Sequence, residues 1–396
     1  MNLKSVKSGI SSGPSQGLGG SLPAATELSE LGRQLENMRR TFLAVNPETV
    51  YQVHAVLGNE SGDQDSVASS IAQAVFLQQI YPEPIVCVPV LNISKDELFL
   101  RKDLVAVLNL AGIDHKDLIF MEDTGIFEVL IQEHKLFLYL VDHNRLAIGQ
   151  EYLAEAVVEV DDHHAVEEVS YSNLNKESTN IKTCASTASL IASKIIKSDK
   201  AILSPELASL LLSAILMDTN NLRPGGPATK VDWDSAERLS NIRNSFATKQ
   251  TYERLCELKV DVSGFSYTQI LLKDFKRYKQ GEVIYAISSL PPTISLEDAG
   301  SDAFEMELAG LCKSKNASFH IALMSGGLES SHKRTIKIYA DDLSRLERIY
   351  TNLKQHETAG SGLSRGESKN PNIMTLYSTN ALPRKRFQPI LQSIGL

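Results

Sequence analysis

Two runs in this chain, Ile85–Leu91 (IVCVPVL) and Leu136–Val141 (LFLYLV), are apolar throughout. A strand with one wet face alternates polar and apolar residues. A strand that does not alternate is covered on both faces. Shorter runs at Val53–Leu57, Leu118–Met121 and Ala156–Val160 read as further strands. Between the runs, apolar residues recur at helical spacing over Val67–Gln79, Asp96–Gly112 and Ser186–Ile196. Ser204-Pro205 supplies an N-cap and a first-turn proline for a long apolar helix through Met217. Strands alternating with helices predict an α/β domain: a parallel sheet with helices on both faces. Ligands of such sheets bind beyond the carboxyl ends of the strands.

The flanks divide the chain further. Residues 1–26 are Gly/Ser-rich and poor in large apolar side chains, the composition of a disordered tail. Leu28, Leu31, Leu35, Met38 and Phe42 put an amphipathic helix in Glu27–Val45. Asp232–Thr251 reads as a polar helix closing the first domain. The expected division is a catalytic domain over 27–245, a linker over 246–258 and a second domain over 259–396. The second is expected to be a smaller α/β domain with a mixed sheet. Its strands are Val283–Ser288, His320–Met324, Thr335–Ala340 and Ile373–Tyr377, with a hairpin signal at Ser325-Gly326-Gly327. Leu343–Gln355 and Pro389–Ile394 supply its helices, and Ala359–Asn370 reads as a polar loop.

Acids and imidazoles gather at the ends of these elements. The first strand runs into Gly58-Asn59-Glu60-Ser61-Gly62-Asp63-Gln64-Asp65-Ser66. The strand Leu136–Val141 is followed by Asp142-His143-Asn144, and the next by Asp161-Asp162-His163-His164. The long helix ends at Asp218-Thr219. Each group alone is an ordinary turn or cap. In a parallel sheet, however, strand ends converge on one edge, and independent caps have no reason to concentrate there. Carboxylates that close repel unless a cation lies between them. Carboxylates with one or two imidazoles and no thiolate suit Mg2+ or Mn2+. The four cysteines are scattered, without a C-x-x-C pair. Two such ions clamp an in-line displacement at phosphorus and activate water. An acid at a helix C-terminus, as at Asp218, is electrostatically misplaced unless it has such a role.

The ordered set Asn59-x-x-x-Asp63-x-Asp65, Asp142, Asp162-His163-His164 and Asp218-Thr219 resembles the four motifs of the DHH phosphoesterase superfamily. Within it the chain is most similar to the eukaryotic exopolyphosphatase/prune group, related to family II inorganic pyrophosphatases. GNESGDQDSVASSIA, VPVLNI, Leu100-Arg101, Cys184-Ala185-Ser186-Thr187 and DVSGFS carry the same resemblance. It implies Asn59, Asp63 and Asp142 around one ion, and Asp65, Asp142, His163 and Asp218 around a second, with Asp142 bridging. It also implies His164 facing a substrate phosphate, with Asp162 orienting the histidine pair. Lys276, Arg384 and Lys385 of the second domain resemble the family's substrate-binding cations, although Pro383 stands where the family's element begins with Ser.

The resulting expectation is an exopolyphosphatase, removing terminal phosphate from inorganic polyphosphate by attack of a metal-bridging hydroxide. Asn59, where pyrophosphatases carry His, is the departure that favours polyphosphate. The alternatives are an inorganic pyrophosphatase or short-chain polyphosphate and nucleotide phosphodiesterase, and a prune-like regulatory protein. A net charge of −8 argues against a binder of nucleic-acid duplexes. It also means that an anionic substrate needs a local basic patch. No run is long enough for a membrane span, and the absence of a basic-then-apolar start leads to a cytoplasmic expectation. Nothing in the sequence sets an oligomeric state.

Overall fold

The computed structural model describes residues 28–167, 169–174, 177, 179–198, 202–242, 249–326, 332–355, 362–380 and 384–393. The expected tail over 1–26 lies outside them. Six strands build the first sheet: β1 (Val53–Leu57), β2 (Val86–Leu91), β3 (Ile119–Phe120), β4 (Leu136–Val141), β5 (Val157–Asp162) and β6 (Thr179–Ile181). Their order is β3-β2-β1-β4-β5-β6, and every pairing is parallel. All residues of β1 and β2 are buried, so both faces of the sheet centre are covered, as the unbroken apolar runs require. The chain reverses direction across the sheet between β1 and β4. That is the switch point at which parallel sheets open a ligand crevice.

The helices of this half are α1 (Glu30–Leu43), α2 (Gln64–Ile80), α3 (Lys95–Leu98), α4 (Lys102–Leu110), α5 (Phe127–Gln132), α6 (Thr187–Lys197), α7 (Pro205–Asp218), α8 (Lys230–Ser240) and α9 (Lys249–Val260). The single helix expected over Asp96–Gly112 is instead α3 and α4, broken at Arg101. The buried Arg101 side chain explains the break: Nε donates to Ser61 O (2.5 Å) and Nη1 to Glu97 O (2.6 Å). The polar helix expected over Asp232–Thr251 begins earlier, where Thr229 and Asp232 form a capping box, and stops at Ser240. Residues 249–258, expected as linker, are helical. Leu255 anchors α9, and Cys256 Sγ lies 3.9 Å from Met217 Sδ.

The rest of the chain forms α10 (Tyr267–Leu272), β7 (Phe275–Gln280), β8 (Val283–Ser289), α11 (Leu296–Ala299), α12 (Asp302–Ser314), β9 (Phe319–Ser325), β10 (Arg334–Ala340), α13 (Leu343–Gln355), β11 (Ser364–Arg365), β12 (Ile373–Ser378) and α14 (Arg384–Ser393). The second sheet has the order β11-β12-β10-β9-β8-β7 and is mixed: β8 and β9 are parallel and the other pairs antiparallel. One core packs α13 and α14 (Leu346, Ile349, Phe387) against it, and another packs α10 and α12 (Ile270, Phe304, Leu308). No helix among the described residues is long and apolar enough to cross a membrane.

Polar contacts join the halves. Lys102 Nζ meets Asp261 Oδ2 at 2.8 Å, Lys273 Nζ donates to Leu100 O at 2.6 Å, and Arg277 Nη2 donates to Ile148 O at 2.9 Å. They hold β7 over the carboxyl edge of the first sheet.

Candidate active site

The loop after β1 is built tightly. A Cβ on Gly58 would collide with Ser66 Oγ, the group that accepts from Asn59 N (2.6 Å). Gly62 has φ +51°, and a Cβ there would lie 2.7 Å from Ile93 Cγ2, so only glycine suits the position. Asp63 then N-caps α2, its Oδ1 accepting from Ser66 N at 3.1 Å. The opposite wall is made by Asp142, held just past β4 in the left-handed region at φ +62°. Asp tolerates that conformation better than most residues, and Asp142 N donates to Asp161 O (3.0 Å).

Asp142 is the hub. Its Oδ2 accepts from Asn59 Nδ2 at 2.5 Å, and its Oδ1 accepts from Thr187 Oγ1 at 3.3 Å. His163 Nε2 stands 3.3 Å and His164 Nδ1 3.8 Å from that same Oδ1. Donor atoms of Asp142, His163 and His164 all lie within 4.8 Å of one another, a spacing that one cation can span. His163 Nδ1 pairs with Cys184 O at 3.0 Å, which turns Nε2 inward. Asp162 is fully engaged. Its Oδ1 accepts from His163 N (2.7 Å), His164 N (3.1 Å) and His164 Nδ1 (2.8 Å), and its Oδ2 from Asn144 Nδ2 (2.5 Å). That set fixes the histidine pair and leaves Asp162 as an orienting group.

Asp65 reaches the N-terminus of α6. Thr187 N and Ala188 N each donate to it at 2.7 Å, as does Ser186 Oγ. An anion at that helix end is stabilised by the unpaired N–H groups. Asp218, the last residue of α7, has a buried Oδ2 without a partner among the described residues. Asn59 is turned otherwise than a ligand would be: its oxygen accepts from Ser61 N (2.9 Å), Ser61 Oγ (2.6 Å) and Gly62 N (3.2 Å), while its NH2 serves Asp142.

The charges are unbalanced. Burial, then the neighbouring Asp65 and Asp63, pushes Asp142 well above the ordinary carboxylate range. Burial and Asp65 do the same to Asp218, and burial with help from Asp63 raises Asp65. Asp63 is half-buried, and Lys276, the Ser66 N–H and Lys259 outweigh its loss of solvent and hold it below the usual range. Burial would lower His163, yet Asp142 and Asp65 hold it up at about 10. Asp162 stays at about 2, its burial overcome by His164. His143 lies outside this exchange. Its Nδ1 pairs with Val141 O (2.9 Å), and burial lowers it to about 4.

The second half supplies cations. The charge of Lys276, on β7, acts on Asp63, Glu60 and Asp274. Arg384, at the start of α14, pairs with Asp274 through Nη2–Oδ1 (2.7 Å) and donates Nη1 to Asp274 O (2.9 Å). The Lys385 side chain lies outside the described residues. Lys259, near the end of α9, acts on both Asp63 and Asp218; a single lysine in a polar helix carries no sequence signal for that. Thr187, Cys184 O and Asn144 join the site through neutral hydrogen bonds, which carry no charge signal in the sequence. A cavity of about 370 Å3 lined by Phe99, Lys102 and Leu258 lies between α4 and α9 and includes none of the acids.

Comparison with known proteins bears on the family and the fold. Residues 54–215 match the DHH family, N-terminal domain, and residues 253–394 match the DHHA2 domain. The exopolyphosphatase PRUNE1 of Homo sapiens is 30% identical over 345 residues, 86% of this chain and 75% of that protein. A Schizosaccharomyces pombe protein that provisionally bears the exopolyphosphatase name is 28% identical over 91% of this chain and 97% of its own length. A crystal structure from Methanococcus jannaschii, attributed to the family II inorganic pyrophosphatases, aligns with TM-score 0.59 at 21% identity over 86% of this chain and 99% of that one, a likeness of fold. With both halves matched in order and the relatives covered over most of their length, the chain belongs to the exopolyphosphatase/prune group of the DHH phosphoesterase superfamily.

Proposed function

We propose that this chain is a metal-dependent exopolyphosphatase that removes terminal phosphate from inorganic polyphosphate. The observation that carries the reading is the set of carboxylates at the sheet's switch point, the buried Asp65 and Asp142 and the half-buried Asp63 and Asp218. Burial and mutual repulsion raise Asp65, Asp142 and Asp218, a buried oxygen of Asp218 has no partner among the described residues, and Asp142, His163 and His164 bring donor atoms within 4.8 Å of one another. Such a set is stable when divalent ions neutralise it. All-oxygen and imidazole donors fit Mg2+ or Mn2+, and we assign two ions. Asp63 and Asp142 would hold one, with Asn59 beside it steadying Asp142. Asp65, Asp142, His163 and Asp218 would hold the other. When bound, the ions supply charge neutralisation and an activated water for hydrolysis of a phosphoanhydride.

The chain's own groups do the rest. Asp162 orients His163 and His164 through three hydrogen bonds and is itself held by a fourth, from Asn144. His164, exposed at 30%, faces the crevice and contacts the terminal phosphate. Lys276, Arg384 and Lys385 bind the following phosphates; Arg suits bidentate contacts to phosphate oxygens. The four cysteines are unpaired, which fits a reducing compartment such as the cytoplasm.

Phosphate release with Mg2+ or Mn2+ from long polyphosphate, tripolyphosphate, pyrophosphate and a cyclic dinucleotide tests the proposal. Turnover of long polyphosphate is the expected result. Turnover of pyrophosphate alone would make the chain an inorganic pyrophosphatase, and no release from any substrate would overturn the enzymatic reading.

A further inference from the structure

Strand β7 is an edge of the second sheet, paired only with β8. The backbone N–H of Arg277 points away from that partner and donates instead to Glu60 Oε1 of the first half, at 3.3 Å. Glu60 lies between Asn59 and Ser61 in the loop that carries the acid motif, yet its carboxylate meets the second half of the chain. Burial raises its carboxyl above the ordinary range, and the charges of Lys276, Arg277 and Arg384, with the Arg277 N–H, act against that and favour the anion. Two of these are the side chains to which the proposed function assigns the substrate. An anion of the protein thus occupies the cationic seat that an anion of the substrate needs.

We propose that Glu60 is a substrate-mimicking latch: in the free protein its carboxylate fills the seat formed by Lys276, Arg277 and Arg384, and a phosphate of the substrate displaces it. The inference rests on the reading that polyphosphate enters this crevice. Two consequences follow from the chemistry. Docking of β7 onto the acid loop is kept in the unliganded protein by a contact that mimics the liganded one. Every phosphate that binds there must also replace a carboxylate, so the latch weakens anion binding by the strength of one partly screened charge pair. For groups near a protein surface that amounts to about threefold to tenfold in affinity.

The test is equilibrium binding of methylenediphosphonate, whose carbon bridge resists hydrolysis, to the full chain with saturating Mg2+. Wild type is compared with Glu60→Gln and Glu60→Ala at low and high salt. Glu60→Gln keeps an oxygen for the Arg277 N–H and removes only the charge. Both variants are expected to bind about threefold to tenfold more tightly than wild type at low salt, and the gain is expected to shrink at 0.5–1 M salt, where the Debye length falls to about 3–4 Å. Unchanged affinity in Glu60→Gln would reduce Glu60 to a tether. Weaker binding in both variants would make it part of the scaffold; either result overturns the latch. Because binding is read without turnover, an inactive wild type would overturn the enzymatic reading and leave this measurement standing.

Discussion

Replacing Asp142 with Asn should stabilise the metal-free protein while abolishing its chemistry. The side chain is buried, 2% exposed, and two like charges, Asp65 and Asp63, raise its pKa against one attraction from His163 at 3.3 Å. A unit charge a few ångströms away at an effective dielectric of about 20 contributes about 3 kcal/mol. Two repulsions against one attraction, with burial added, leave a net penalty of about 1–3 kcal/mol for the ionised group. Asn is nearly isosteric and keeps an oxygen for the Asn59 Nδ2. The variant should therefore melt about 2–12 °C above wild type in EDTA at pH 7.5, at about 2–4 °C per kcal/mol for a domain of this size. The pH dependence follows the sign of the shifts. Asp65, Asp142 and Asp218 all have raised folded pKa values, so their contribution is fully present below the ordinary carboxylate pKa and is lost as pH rises through the raised values. The advantage of Asp142→Asn should accordingly shrink towards pH 4. Saturating Mg2+ should reverse the order, because an ion at 100 times its Kd contributes about 2.7 kcal/mol to wild type and far less to the variant. Thermal denaturation with and without Mg2+, at several pH values, reads all of this. A variant that melts below wild type in EDTA at pH 7.5, or that gains as much from Mg2+, refutes the reasoning.

Other outcomes are narrower. Asp162→Ala removes the acceptor for both histidine backbones and for His164 Nδ1; kcat should fall about 10–100-fold, with partial recovery in Asp162→Asn, and equal activities in the two variants would count against an orienting role. Lys276→Ala and Arg384→Ala should raise KM for polyphosphate more than they lower the melting temperature, and an unchanged KM in both would remove these cations from the binding site.

Much of the fold is legible in the sequence because burial on both faces leaves a local signature. IVCVPVL and LFLYLV lack alternation, and both are central strands. The mixed character of the second sheet and the β9–β10 hairpin were also readable. The strand order was not, since nothing local says that β4 inserts beside β1. The break at Arg101 was hidden for a similar reason: a guanidinium that bonds Ser61 O, 40 residues away, stops a helix whose local spacing continues. At the site, the acids and histidines stand out because charged groups at the ends of apolar strands are costly without a purpose. The orientation of Asn59 does not, because an amide offers donor and acceptor alike. Glu60 and Lys259 are single charges whose significance depends on what the second half of the chain brings against them.

The edge strand β7 carries one more implication. Its sequence FKRYKQ places Lys276, Arg277 and Lys279 along a ribbon that leaves one side of its ladder unpaired within its own sheet. Bare ribbon edges invite strands of other molecules, and positive side chains along the edge discourage that by repulsion. In the whole chain the Arg277 N–H on this side is engaged by Glu60 of the first half. Excised, the second domain would have only those charges to keep copies apart. Neutralising them would therefore be expected to impair solubility as well as substrate binding, and experiments on truncated or charge-deleted forms should monitor self-association alongside activity.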